Sequence, residues 1–102
     1  MDKTYKVGEK AVERYLVVEV EKRGGECLKY TNANKAGYPD RLVMLPGGIT
    51  AWAEVKGAGI RPRPLQIERF KRLRQLGQRV SVVDCYDAVD RLLLLLLEGG
   101  KK

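Results

Sequence analysis

The sequence predicts an α/β domain: a mixed sheet with helices packed on it, in the order α-β-β-β-α-β-α. Three observations lead there. Helix-period and strand-period apolar patterns succeed one another along the chain. Gly and Pro clusters separate them at short intervals. The 102 residues, 44% apolar and 32% charged, suit one globular domain over 1–102 with a single core.

The first helix runs from Glu9 to Arg23, a stretch without Gly or Pro, and Gly24-Gly25 ends it. Ala11, Val12, Tyr15, Leu16 and Val18 follow the i, i+3, i+4, i+7 spacing of a helix face. Val17 to Glu21 also alternates like a strand, but about 15 uninterrupted residues exceed a typical strand. Glu19 falls near the apolar face, and the sequence offers no reason for it. Glu26 to Asn32 reads as a strand and Ala33 to Pro39 as a loop. Arg41 to Leu45 is a short apolar run suited to a central strand. Pro46-Gly47-Gly48 is a turn, and Ile49 to Lys56 is the returning strand. Gly57 to Arg63 is a flexible basic loop. Pro64 opens the second helix at a position where its missing N–H costs nothing. Leu65, Phe70, Leu73 and Leu76 supply that helix's apolar face, and Gly77 stops it. Arg79 to Val83 is the last strand. Asp87 reads as the N-cap of a final helix through the leucine run to Gly99.

Composition narrows the chemistry. Histidine is absent. That excludes an imidazole base, a Ser-His-Asp triad and histidine metal ligands. A bound metal must then be held mainly by oxygen, which favours Mg²⁺ or Mn²⁺ over zinc. Cys27 and Cys85 lack CxxC spacing and are expected as reduced thiols. The longest apolar run, Leu92 to Leu97, is far below the ~20 residues that cross a bilayer, so no membrane partner is expected. The net charge of +7 is concentrated. Between Gly57 and Arg79, Arg61, Arg63, Arg69, Lys71, Arg72, Arg74 and Arg79 face one acid, Glu68. Such a localised cationic surface suits a polyanion; its alternative is a solvated helix face.

The hairpin carries the chemistry. Its turn centres near Gly47, with Asp40 seven residues before and Glu54 seven after. Positions equidistant from an antiparallel turn face each other, with Cβ atoms roughly 4.5–5.5 Å apart. Lys56, two residues past Glu54, points to the same side. Two opposed carboxylates repel, and a hard divalent cation relieves that. A metal-bound water becomes a usable nucleophile near neutral pH, and Lys56 can orient it or stabilise the transition state. Those are the needs of phosphodiester hydrolysis. Gln66 shares a helix face with Phe70 and Leu73, near an N-terminus that favours phosphate. Glu9 opens the first helix and could add a third carboxylate; Glu13, one turn on, competes with it.

Gly37-Tyr38-Pro39-Asp40-Arg41, a strand ending Glu54-Val55-Lys56, and Pro64-Leu65-Gln66 opening a helix together resemble the VRR-NUC domains of the PD-(D/E)xK nuclease superfamily. The resemblance runs from about Glu9 to Val83. It implies a restriction-endonuclease-like fold and DNA cleavage with Mg²⁺ or Mn²⁺. It also implies Asp40, Glu54 and the Val55 carbonyl as metal ligands, with an early-helix glutamate, best matched by Glu9, assisting. Lys56 would be the catalytic lysine and Gln66 a supporting site residue. Stand-alone members of similar size resemble Holliday junction resolvases and act as homodimers. The resemblance therefore favours a dimeric enzyme on branched or junction DNA. Without a bilayer-length apolar run or a secretory signal pattern, the chain is expected in the cytoplasm, of a bacterial or phage-infected cell.

Arg61 and Arg63, in the loop beside the expected site, are the preferred phosphate contacts, since guanidinium pairs bidentately with phosphate. Arg41 and Lys71 are further candidates. Trp52 is expected in the core rather than as a base-stacking platform, and Tyr38 as a structural loop residue. The leucine run is wider than one helix face needs, which suggests a subunit interface or ordinary packing of a terminal helix. Two other functions stay open at this level: a non-catalytic nucleic-acid-binding module on a nuclease-like fold, and a protein-interaction domain docking through its leucine-rich end.

Overall fold

The computed structural model describes residues 7–99. Three helices and four strands follow one another in the expected order. They are α1 (Glu9–Lys22), β1 (Glu26–Lys29), β2 (Arg41–Leu45), β3 (Ile49–Val55), α2 (Pro64–Gln75), β4 (Val80–Val83) and α3 (Tyr86–Gly99). The sheet order is β1-β2-β3-β4. β1, β2 and β3 form an antiparallel meander, and β4 joins β3 in parallel. A parallel neighbour needs a crossover, and α2 provides it.

The two sheet faces have different tasks. Val43, Leu45, Ala51, Ala53 and Val55 point to one face. There they meet Val12, Leu16 and Val20 of α1 and Val89, Leu92, Leu93 and Leu96 of α3. This is the main core; each fully buried Leu or Val in it contributes roughly 1.5–3 kcal/mol. The opposite face is covered by α2. Phe70 and Leu73 pack there on Val80, with Tyr38 and Trp52 at the margin. The two-residue alternation of β3 therefore sends Ala53 and Val55 into the core and Glu54 beneath α2.

Several local readings change. Val18 is exposed, because α1 buries the i, i+4, i+8 row of Val12, Leu16 and Val20. Glu19 lies beside that row and is held by Lys22 and Arg23 at 3.0 Å each. β1 ends at Lys29 rather than Asn32. The Asn32 side-chain oxygen accepts the Asn34 and Lys35 N–H groups and turns the chain. On α2, Leu65 and Leu76 are exposed, and Gln66 takes the inward position with Phe70 and Leu73. Asp87 is not the N-cap of α3. The helix already starts at Tyr86, and Asp87 pairs with Arg91 one turn on. The leucine run splits: Leu92, Leu93 and Leu96 are buried, while Leu94 and Leu95 are 57% and 66% exposed.

Both cysteines are free. Cys85 is half-buried; Cys27 is buried, and desolvation pushes its thiol up to about 11. No helix among the described residues is long and apolar enough to cross a membrane.

Candidate active site

The β2–β3 hairpin is symmetric about Gly47. Leu45 pairs with Ile49, and the ladder continues to Arg41 opposite Ala53. One step further along the hairpin come Asp40 and Glu54: Glu54 turns beneath α2, and Asp40 is near enough for its charge to act on it. One oxygen of the Asp40 carboxylate is anchored to β3: Oδ2 accepts the Val55 N–H at 3.1 Å.

Glu54 is only 2% exposed, which is unusual for a carboxylate. Its Oε2 is well served. Gln66 Nε2 donates to it at 2.9 Å, and the Lys56 ammonium lies 3.1 Å away. Its Oε1 is buried and has no hydrogen-bond partner. Burial raises the Glu54 pKa, the Lys56 hydrogen bond opposes the rise, and the negative charge of Asp40 adds to it. A buried carboxylate oxygen without a partner costs free energy unless something completes it. The donor set, a buried carboxylate oxygen with a second carboxylate near it, is of the oxygen chemistry that suits a hard divalent cation.

Gln66 has two roles. Its Oε1 accepts the Arg63 N–H at 2.9 Å, satisfying a donor at the start of α2. Its Nε2 holds Glu54. The helix terminus and the site carboxylate are thus fastened by one side chain, which explains why a polar residue occupies the inward face of α2.

The structure brings Asp40, Glu54, Lys56 and Gln66 together. The remaining predicted residues are distributed around them. The Glu9 amide abuts Gly57, next to Lys56: a Cβ on Gly57 would stand 3.6 Å from it. The Glu9 carboxylate does not join the acids, for no group of three His, Cys, Asp or Glu side chains gathers among the described residues. Glu13 is engaged elsewhere, pairing with Arg41 at 2.9 Å. Arg41 also donates to the Cys27 carbonyl. It therefore lies on the α1 side of the sheet, away from Asp40. Arg61 and Arg63 are exposed in the loop before α2. Lys71 pairs with Glu68 in solvent at 3.2 Å.

Two residues, Arg69 and Trp52, make contacts that sequence reasoning missed. Arg69 donates to the Ala36 carbonyl at 2.9 Å and stacks over the Tyr38 ring. Trp52 is half-buried, lies edge-on to Tyr30 at 5.0 Å and donates to Gln78. The Gly37 beside Tyr38 was the available signal for the first. Nothing in the sequence pointed to the second.

The sheet, its crossover helix and the two-acid hairpin define a nuclease-fold domain. A solved structure described as "VRR_NUC domain" matches the chain with a TM-score of 0.78 and 34% identity. The match covers 83% of this chain and 92% of that one. A phage protein named "Putative nuclease p44", from Acyrthosiphon pisum secondary endosymbiont phage 1, is 41% identical over 81 residues. That span is 79% of this chain and 87% of the relative. No family model matches the sequence. By these two likenesses the chain belongs to the VRR-NUC family.

Proposed function

We propose that this protein is a metal-dependent DNA endonuclease that hydrolyses phosphodiester bonds, acting as a homodimer on branched or junction DNA. The observation that carries the reading is the Glu54 carboxylate: sealed beneath α2, beside Asp40, with Oε1 unpartnered. Asp40, Glu54 and the Val55 carbonyl would hold Mg²⁺ or Mn²⁺; the Glu9 carboxylate stands apart from these acids and is not among the ligands. When bound, such an ion supplies a water of lowered pKa and offsets charge on the phosphate oxygens.

The protein's own groups have distinct tasks. Lys56 spends one N–H on Glu54, and an ammonium has three, so two are left for a water or a phosphate oxygen. Gln66 keeps the Glu54 carboxylate in one orientation. Arg61 and Arg63 take the DNA backbone beside the scissile bond, and Lys71 extends that contact, since an exposed pair such as Lys71–Glu68 costs little to break. Arg41, already paired on the other face, has no part in it. The exposed Leu94 and Leu95 supply apolar surface for a second copy. The phage relative supports a cytoplasmic site of action.

The test is a cleavage panel of duplex, flap, four-way junction and single-stranded DNA, each with Mg²⁺ and with Mn²⁺, beside Lys56→Ala. The expected result is cutting of branched substrates that Lys56→Ala lowers by about 100-fold or more with DNA binding retained. Pure protein that binds DNA but cuts nothing in either metal overturns the enzyme reading and leaves a binding module.

A further inference from the structure

The loop that delivers Asp40 to the site is long, running from the end of β1 at Lys29 to the start of β2 at Arg41. A loop of that length does not hold a carboxylate in place unless it is tied down. Its base is tied at Asp40 itself, by the Tyr30 N–H to the Asp40 carbonyl at 2.7 Å and by the Val55 N–H to Asp40 Oδ2 at 3.1 Å. Its far side is tied by a residue of α2. Arg69 Nε donates to the Ala36 carbonyl at 2.9 Å, and the guanidinium lies 5.5 Å from the centre of the Tyr38 ring.

The backbone between those two anchors is built around this contact. Gly37 has φ +92°, a conformation that L side chains rarely adopt. A Cβ there would stand 2.9 Å from Arg69 Cγ and 3.0 Å from Leu65 Cγ. Glycine is what lets the loop press against α2 at this point. Pro39 then follows, fully buried and with a fixed φ, directly before Asp40. Ala36, Gly37, Tyr38 and Pro39 thus form a stiff arm, clamped at one end by Arg69 and carrying Asp40 at the other.

We infer that Arg69 is a positioning residue for Asp40: it clamps the Ala36–Pro39 arm to α2 and so sets where the carboxylate meets a divalent cation. The inference rests on the reading of Asp40 as a metal ligand. It separates Arg69 from the cations of the basic segment that remain available to DNA. Its Nε is committed, its guanidinium carbon lies over an aromatic ring at 5.5 Å, and its task is internal to the fold. A lysine is not an equal replacement, because its single terminal ammonium lacks the rigid fork that lets Nε reach the Ala36 carbonyl while the guanidinium carbon lies over Tyr38.

Arg69→Ala, Arg69→Lys and wild type are compared by Mn²⁺ titration followed by electron paramagnetic resonance, by cleavage kinetics, and by DNA affinity against salt. Urea midpoints establish that the variants fold. Should Arg69→Ala fail to fold, Arg69→Lys and Tyr38→Leu carry the same test. The expected result is a loss of Mn²⁺ affinity of about 10-fold or more, the usual scale for groups that orient a ligand. A fall in kcat accompanies it, Arg69→Lys gives no rescue, and the salt dependence of DNA binding is unchanged. Unaltered Mn²⁺ affinity in folded variants overturns the inference. So does a reduced salt slope with unchanged metal affinity, which makes Arg69 an ordinary phosphate contact. Wild type that binds Mn²⁺ at this site yet cuts no DNA removes the nuclease reading alone, and the metal titration still decides the role of Arg69.

Discussion

Replacing Gln66 by Leu removes two hydrogen bonds in a single step and tests whether the site and helix α2 share one fastening. The lost Oε1 acceptor leaves the Arg63 N–H unsatisfied at the helix start, which costs about 1 kcal/mol for a capping interaction. The lost Nε2 donor deprives a buried carboxylate of one partner, which costs about 1.5–3 kcal/mol. Leucine is close in volume and apolar, and its burial returns roughly 1 kcal/mol. The net expectation is a destabilisation of about 1.5–3 kcal/mol. Urea unfolding of chelator-treated protein at neutral pH measures it. With m near 1–3 kcal/mol/M, the midpoint should fall by about 1 M with m unchanged. Gln66→Glu is the informative companion. It keeps an acceptor for Arg63 but sets a second carboxylate against Glu54, so its loss should be recovered in part by Mn²⁺. A midpoint shift below about 0.3 M for Gln66→Leu would refute the bridging role drawn from these two bonds.

Three further outcomes are expected. Glu54 has a raised pKa when folded, so the metal-free protein binds its proton more tightly than the unfolded chain does. Glu54's contribution to stability is then fully present below the ordinary carboxylate range and lost as pH rises through the raised value. Thermal melts from about pH 4 to about pH 8 should show this falling trend in wild type relative to Glu54→Gln, and Mn²⁺, which needs the ionised form, should flatten or reverse it. An identical pH profile for the two proteins contradicts the assignment. Gly37→Ala should lower stability by about 1–3 kcal/mol, because it combines a strained φ with a Cβ in contact with Arg69; a neutral melting temperature counts against the stiff arm. Arg61→Ala should weaken DNA binding across all sequences and reduce the salt slope by about 1, as read from affinity between low and moderate salt.

The sequence made the hairpin legible because a symmetric turn is simple arithmetic. Equal distances from Gly47 place Asp40 and Glu54 on one face whatever else the chain does. Pro64 marked the start of α2, and Gln66 followed from helical spacing with Phe70 and Leu73. Helix and strand order were equally readable from period and punctuation. What escaped were facts set by tertiary contact. The leucine run could not say that Leu94 and Leu95 face outward, because that depends on where β4 and α1 lie around α3. Leu65 and Leu76 were placed inward by hydrophobicity, but the second face of the sheet had reserved that row for a polar residue that serves Glu54. Glu13 and Arg41 are 28 residues apart, so their pairing, which removes both from the site, had no local signature. Arg69 was counted among the cations because charge is visible in sequence and a carbonyl partner across a loop is not.

The most direct measurement is anomalous diffraction at the manganese edge from crystals grown with Mn²⁺. One strong peak is predicted beside the Asp40 and Glu54 carboxylates, with the Lys56–Glu54 ion pair kept. No peak there at saturating Mn²⁺, or manganese found only at other carboxylates, would mean that the buried acid pair does not bind a cation.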